Sequence, residues 1–170
     1  MRALVVLLSL VLAVVLAPQA AAAEAYCSTP WGSLPESRDG MGTGEIDHLR
    51  AGRHECFDRL VVQVDGPAGG YWAEYVPEVT ADGSGNVVPV AGGAKIQLIV
   101  RHPWYSGPGV GASLVNVSGF DTLRDVRNAG SFEGQTTIGV GVRARLPFRV
   151  FVLAGPGGQS RFVIDVAHRW

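Results

Sequence analysis

The sequence predicts an all-β domain, a sandwich or open barrel of about eight strands, led in by an N-terminal arm that a disulfide ties down. Short apolar runs alternate with polar residues, and 23 glycines and 10 prolines lie scattered between them as turn residues. No stretch keeps a helical period over about eleven residues. Two distant segments also echo each other. Phe57 to Asp65 and Gln159 to Ala167 each set an arginine, Arg59 or Arg161, at the head of a run of Val, Ile, Leu and Phe that then alternates. They read as paired strands, with Leu60, Val62 and Val64 answering Phe162, Ile164 and Val166 on the core side.

Residues 1–23 read as a secretory signal peptide. Arg2 supplies a minimal positive start, Leu4 to Leu16 is apolar apart from Ser9, and Ala17 to Ala23 offers small residues suited to cleavage. The apolar run of about 13 residues is shorter than the roughly 20 that span a bilayer. No transmembrane segment is therefore expected in the mature chain, which should be secreted, extracellular or cell-wall associated. A bulky Tyr26 before Cys27 does not fit a lipobox. Without Arg2, the 14 basic residues drop one further behind the 15 acidic ones, to a net charge of about −2. Nucleic acid is excluded as a partner, because its phosphates demand a basic stripe.

Residues 24–44 form the arm and 45–170 the β domain. Cys27 and Cys56 are the only cysteines, and an oxidising compartment favours their pairing as a structural staple. A zinc site built on them would need more thiolates or a histidine pair, which His48 and His54 only half supply. From Tyr26 to Thr43 the arm is rich in Gly, Ser and Pro and reads as extended. Ile46 to Arg50 is the first strand, turned by Gly52-Arg53-His54 into Phe57 to Asp65; Gly66 to Gly70 breaks the chain before Tyr71 to Val76. On that strand Tyr71, Ala73 and Tyr75 share one face and Trp72, Glu74 and Val76 the other. Asp82 to Asn86 has turn chemistry that closes a hairpin onto Val87 to Val90. Ala94 to Arg101 alternates well, His102 to Gly111 is a loop, Leu114 to Val117 reads as a short strand, and Leu123 to Ala129 alternates weakly. Thr136 to Val142, Phe148 to Leu153 and Arg161 to Ala167 complete the set. Gly139 and Gly141 fall on one face, where another backbone or a ring is expected to lie close.

Catalytic signatures are absent. Neither a Gly-x-Ser-x-Gly elbow nor a His-Glu-x-x-His pair occurs. Gly107 to Gly111 is interrupted by Pro108 and opens no helix, so it is no dinucleotide loop. Asp47-His48, His54-Glu55 and Asp165 with His168 would form a metal or acid/base cluster only if the fold gathered them. Asn116-Val117-Ser118 is a formal glycosylation sequon. The aromatics Tyr71, Trp72, Tyr75, Trp104 and Tyr105 are candidates for stacking on sugar faces, against the alternative that they fill the core or its rim. Arg59, Arg149 and Arg161 sit at strand starts, where they meet either anionic wall polymers or Asp58, Asp65 or Asp165.

Phe57 to Val62, Gly134 to Gly141, Leu146 to Val150 and Arg161 to His168 together resemble the AMIN-like domain of secreted bacterial proteins. The likeness runs from about Glu45 to His168. For the related AMIN domains, the resemblance implies a β-sandwich that binds cell-wall peptidoglycan and localises envelope machinery; no residue role transfers by motif. The chain is therefore expected to be a non-enzymatic envelope module without catalytic residues, metal or cofactor, whose partner is a wall glycan or an envelope protein. The alternatives are a secreted interaction or inhibitor domain and, further off, a wall hydrolase built on the His/Asp pairs.

Overall fold

The computed structural model describes Cys27 and residues 29–170, which form eleven strands. The signal peptide expected over residues 1–23 lies outside the described residues. The strands are β1 (Glu36–Arg38), β2 (Ile46–Arg53), β3 (Phe57–Val64), β4 (Tyr71–Val76), β5 (Val79–Thr80), β6 (Val87–Val88), β7 (Ala94–Val100), β8 (Leu123–Phe132), β9 (Gln135–Val142), β10 (Phe148–Ala154) and β11 (Ser160–Ala167). Among the described residues a single 3-10 turn, Pro156–Gly158, is the only helical element. All main pairings are antiparallel: one sheet runs β1-β4-β7-β9-β8, a second β10-β11-β3-β2, and β5-β6 is a small hairpin. The described residues form no closed barrel, and the five- and four-stranded sheets share one core, as a sandwich does.

The alternation seen in the sequence places the core. Leu60, Val62, Phe148, Phe162, Ile164 and Val166 from the four-stranded sheet meet Ile96, Leu98, Val126, Ile138 and Val140 from the five-stranded one, all buried in one cluster. The echoing segments are neighbours at the centre of the four-stranded sheet. Leu60 stands opposite Ile164, and Val62 opposite Phe162. Burying one large aliphatic or aromatic side chain contributes about 1.5–3 kcal/mol, so this shared face fixes the register.

Several expectations are corrected. The arm, expected as an extended lead-in without a strand of its own, supplies one: Glu36–Arg38 pairs with β4 at the edge of the five-stranded sheet. β2 continues through Gly52 and Arg53, which lie opposite Arg59 and Asp58, and the chain reverses at His54 to Cys56. Leu114 to Val117 is not a strand; only Ser113 bridges to Arg127. The weakly patterned Leu123 segment is instead the longest strand, its alternation broken by register shifts between Leu123 and Asp125 and between Asn128 and Ser131. Eleven strands replace the expected eight because three are only two or three residues long.

Gly141 behaves as its position on β9 implied. A Cβ there would sit 1.8 Å from the Ala91 carbonyl oxygen. The segment around the β5-β6 hairpin thus crosses the outer face of the five-stranded sheet at backbone distance. Side chains of that face hold it: Gln97 Oε1 accepts from Thr80 N at 3.0 Å and Asp125 Oδ2 from Ala91 N at 3.0 Å. Val79, Ala81, Val88, Val90 and Ala129 form a small second core beneath it.

His102, fully buried after β7, joins the arm to the sandwich. Its Nδ1–H donates to Gly44 O at 2.7 Å and its Nε2 accepts from Gly69 N at 2.8 Å, so the ring is neutral with the proton on Nδ1. Burial pushes its pKa down, opposed by the weaker effect of the Gly44 hydrogen bond. In the unfolded chain this histidine protonates near about pH 6.5, whereas in the fold it stays neutral to lower pH. The stability it contributes is thus present above that pH and lost as pH falls toward the folded pKa. Urea unfolding at about pH 7.5 and 5 should show this loss in the wild type and a smaller pH-dependent difference in His102→Gln. An unchanged difference would assign the acid sensitivity to other groups.

Candidate binding face

The outer face of the four-stranded sheet is organised in rows that the antiparallel register dictates. In one row Arg149 on β10, Asp165 on β11 and Arg59 on β3 stand directly opposite one another, with Gly52 of β2 beyond. The next row holds Phe151, Val163, Val61 and Arg50. A period of two along β10 therefore puts Arg149 and Phe151 on the same face.

Asp165 is fully buried at the centre of the first row. Arg59 reaches it with two donors, Nε to Oδ1 at 2.6 Å and Nη2 to Oδ2 at 2.9 Å. Arg149 closes from the other side, Nε and Nη2 reaching Oδ2 at 2.9 and 2.8 Å. Hydrogen bonding to Asp165 holds the Arg59 guanidinium even more firmly protonated than usual, against the opposing effect of burial. One carboxylate between two guanidiniums leaves the row with a positive charge. Both arginines remain partly exposed, with side chains at 25% and 40%.

Aromatic rings frame this row. The Arg149 guanidinium lies 4.2 Å from the Trp31 ring centroid and 4.9 Å from that of Phe151; the Arg59 guanidinium lies 5.2 Å from Phe57 and 5.5 Å from Phe151. Trp31 meets Phe57 edge-on at 5.6 Å, and His54 stacks on Phe57 at 4.5 Å. Such cation–π contacts contribute about 0.5–1 kcal/mol each at exposed sites. Cys27 bonds to Cys56, one residue before Phe57, with Cα atoms 5.2 Å apart, so the disulfide anchors the arm that carries Trp31.

The five aromatic candidates lie elsewhere, and the fold does not gather them. Tyr71 is buried, its ring edge-on to Phe162 and its hydroxyl donating to Val150 O at 3.0 Å. Tyr75 is half-buried against Phe148 and donates to Leu146 O at 2.8 Å; burial raises its pKa. Trp104 is half-buried over Gly107, where a Cβ would lie 2.7 Å from its ring. Trp72 and Tyr105 are exposed, at 38% and 79%. The His/Asp pairs are also dispersed. His48 contacts Asp47 at 2.9 Å, His54 stacks on Phe57, and Asp165 serves the arginines while His168 faces Asp58 at 3.2 Å. Arg161, the third arginine singled out, donates to Ala154 O at 2.5 Å. Sequence reading paired Arg59 or Arg149 with an aspartate but missed Trp31 and Phe151. The alternation Arg149-Val150-Phe151 was the available signal for the second.

The family model for the AMIN-like domain matches residues 44–168. The chain belongs to the AMIN-like domain family. AMIN-like domains are generally non-catalytic binding modules, and the membership points to a cell-envelope role. No curated protein matches this AMIN-like chain. The disulfide fits an extracellular or envelope location, and no helix among the described residues is long and apolar enough to cross a membrane.

Proposed function

We propose that this AMIN-like domain is a non-catalytic module that docks on wall glycan, peptidoglycan foremost, through the outer face of its four-stranded sheet. The observation that carries the reading is the row Arg149-Asp165-Arg59 framed by Trp31, Phe57 and Phe151. Rings of this kind stack on the apolar faces of sugars, and the guanidinium donors not turned to Asp165 bind the carboxylates of wall peptides. Because Asp165 holds both arginines in place, binding requires little side-chain ordering. The exposed candidates Trp72 and Tyr105 serve as secondary contacts in this reading.

Sedimentation with purified cell wall at low salt tests it. The wild type should co-sediment, Arg149→Ala should weaken binding about tenfold, the equivalent of about 1.4 kcal/mol, and Tyr105→Ala should have the smaller effect. No sedimentation of the wild type would sink the proposal. A second reading, an exported protein as partner, draws on the five-stranded sheet, where Trp72 and Phe132 are 38% and 51% exposed. It is favoured if the chain ignores wall material and Trp72→Ala abolishes capture of one exported protein.

A further inference from the structure

Beside the disulfide, side chains from three distant parts of the chain converge. Asp58 lies on β3, Asp121 just before β8 and His168 just after β11. Each offers one ligand atom, and the three atoms lie within 4.8 Å of one another. His168 Nε2 is 3.2 Å from Asp58 Oδ1 and 3.9 Å from Asp121 Oδ2.

The donors and acceptors around this cluster leave it incomplete. Asp58 is fully buried, and its Oδ2 accepts from the backbone amides of Thr122 and Leu123 at 2.5 and 3.0 Å. Its other oxygen, Oδ1, points into the cluster. His168 Nδ1 lies 3.2 Å from the Glu55 carbonyl oxygen, which can only accept, so the ring proton belongs on Nδ1. In the neutral ring, Nε2 then presents a lone pair to two carboxylate oxygens. Three acceptors facing one another require a proton or a cation between them. The guanidiniums of Arg53, Arg124 and Arg143 engage main-chain carbonyls: Arg53 bonds Gly119 O, Arg124 bonds Phe120 O and Asp121 O, and Arg143 bonds Asp121 O and His168 O. They fix the backbone that carries the ligand atoms. His168 N also donates to Cys56 O at 2.9 Å, which ties the histidine to the disulfide turn.

We propose that Asp58, Asp121 and His168 form a binding site for a divalent transition-metal ion, with Zn2+ as the cation the set fits. Nitrogen and carboxylate ligands hold zinc at about 2.0–2.2 Å, which puts neighbouring ligand atoms a little over 3 Å apart. The His168–Asp58 separation already meets this, and exposed Asp121 needs only a small shift. One imidazole among the ligands favours zinc over calcium or magnesium, which prefer all-oxygen shells. The Nδ1–H contact with a carbonyl is the outer contact that orients a metal-binding histidine. Water completes the coordination on the open side. The site is independent of whether wall glycan binds elsewhere.

Calorimetric titration of Zn2+ into the purified, disulfide-bonded chain tests the proposal. The wild type should take up one ion at about pH 7.5. His168→Ala and Asp121→Asn should each weaken binding tenfold or more, while His48→Ala leaves it unchanged. Asp121 is exposed, so its variant keeps the fold, as circular dichroism would verify; Asp58→Asn is the less safe change. Absence of saturable uptake by the wild type would overturn the proposal and assign the cluster to a proton-bridged ion pair. Uptake that survives both His168→Ala and Asp121→Asn would overturn it equally.

Discussion

Replacing Asp165 by alanine is expected to cost the domain about 3–5 kcal/mol of stability. The carboxylate is fully buried and accepts from both Arg59 and Arg149. Its removal leaves two guanidiniums facing each other across β11 with no counter-charge. Both side chains keep some exposure, 25% and 40%, so water relieves part of the penalty and the lower end of the range is expected. Asp165→Asn, which keeps the shape and removes the charge, should fall below alanine in cost. Urea unfolding reads these differences directly, and a loss under about 1 kcal/mol would reduce the row to an ordinary surface ion pair. Wall binding should fall alongside stability, because the arginines lose the group that orients them.

Breaking the Cys27–Cys56 bond should cost about 3.5 kcal/mol, from the entropy an unfolded chain regains when a loop of 29-residue separation opens. The paired variant Cys27→Ala with Cys56→Ala is the cleaner test than reduction, since it leaves no thiols to re-form bonds. A second effect follows from position. Trp31 reaches Arg149 and Phe57 only while the arm is anchored, so wall binding should drop further in this variant than in Arg149→Ala alone. A variant that unfolds with wild-type midpoint would mean that β1 pairing and the arm's hydrogen bonds suffice to hold it.

The strands whose alternate residues enter the core were legible in the sequence, as in β3 (Leu60, Val62, Val64), β7 (Ile96, Leu98, Val100) and β11 (Phe162, Ile164, Val166). β8 was obscured because its register shifts move apolar residues out of phase, and Asn128 is buried where the pattern wanted an aliphatic residue. β1 was hidden for a different reason: three residues, Glu36 to Arg38, carry no apolar signal, and their strand state is imposed by pairing with β4. The binding face was half legible. Arg59 and Asp165 could be matched as polar positions on echoing strands, but Arg149 joins them through β10, and no local pattern states which strand lies beside β11. Trp31 lies in a segment whose path is set by the disulfide. The Asp58, Asp121 and His168 cluster was beyond reach for the same reason: sequence reading set His168 beside Asp165, whereas the strand's alternation turns Asp165 outward to the arginines.

The arm also determines how the molecule meets copies of itself. Arm residues Glu36 to Arg38 occupy the β4 edge of one sheet, while Gly32 O and the Glu36 carboxylate accept from Phe148 N and Val150 N on the β10 edge of the other, at 2.8 and 2.7 Å. A single segment thus seals two strand edges that would otherwise invite edge-to-edge polymerisation. Residues 111–114 cover β8 in the same way, through bonds to Val126 and Asn128. Among the described residues β2 keeps the barest edge, with main-chain cover at Ile46 from Pro103. Copies crowded together would therefore meet one long strand edge, that of β2, and one of only three residues, that of β1.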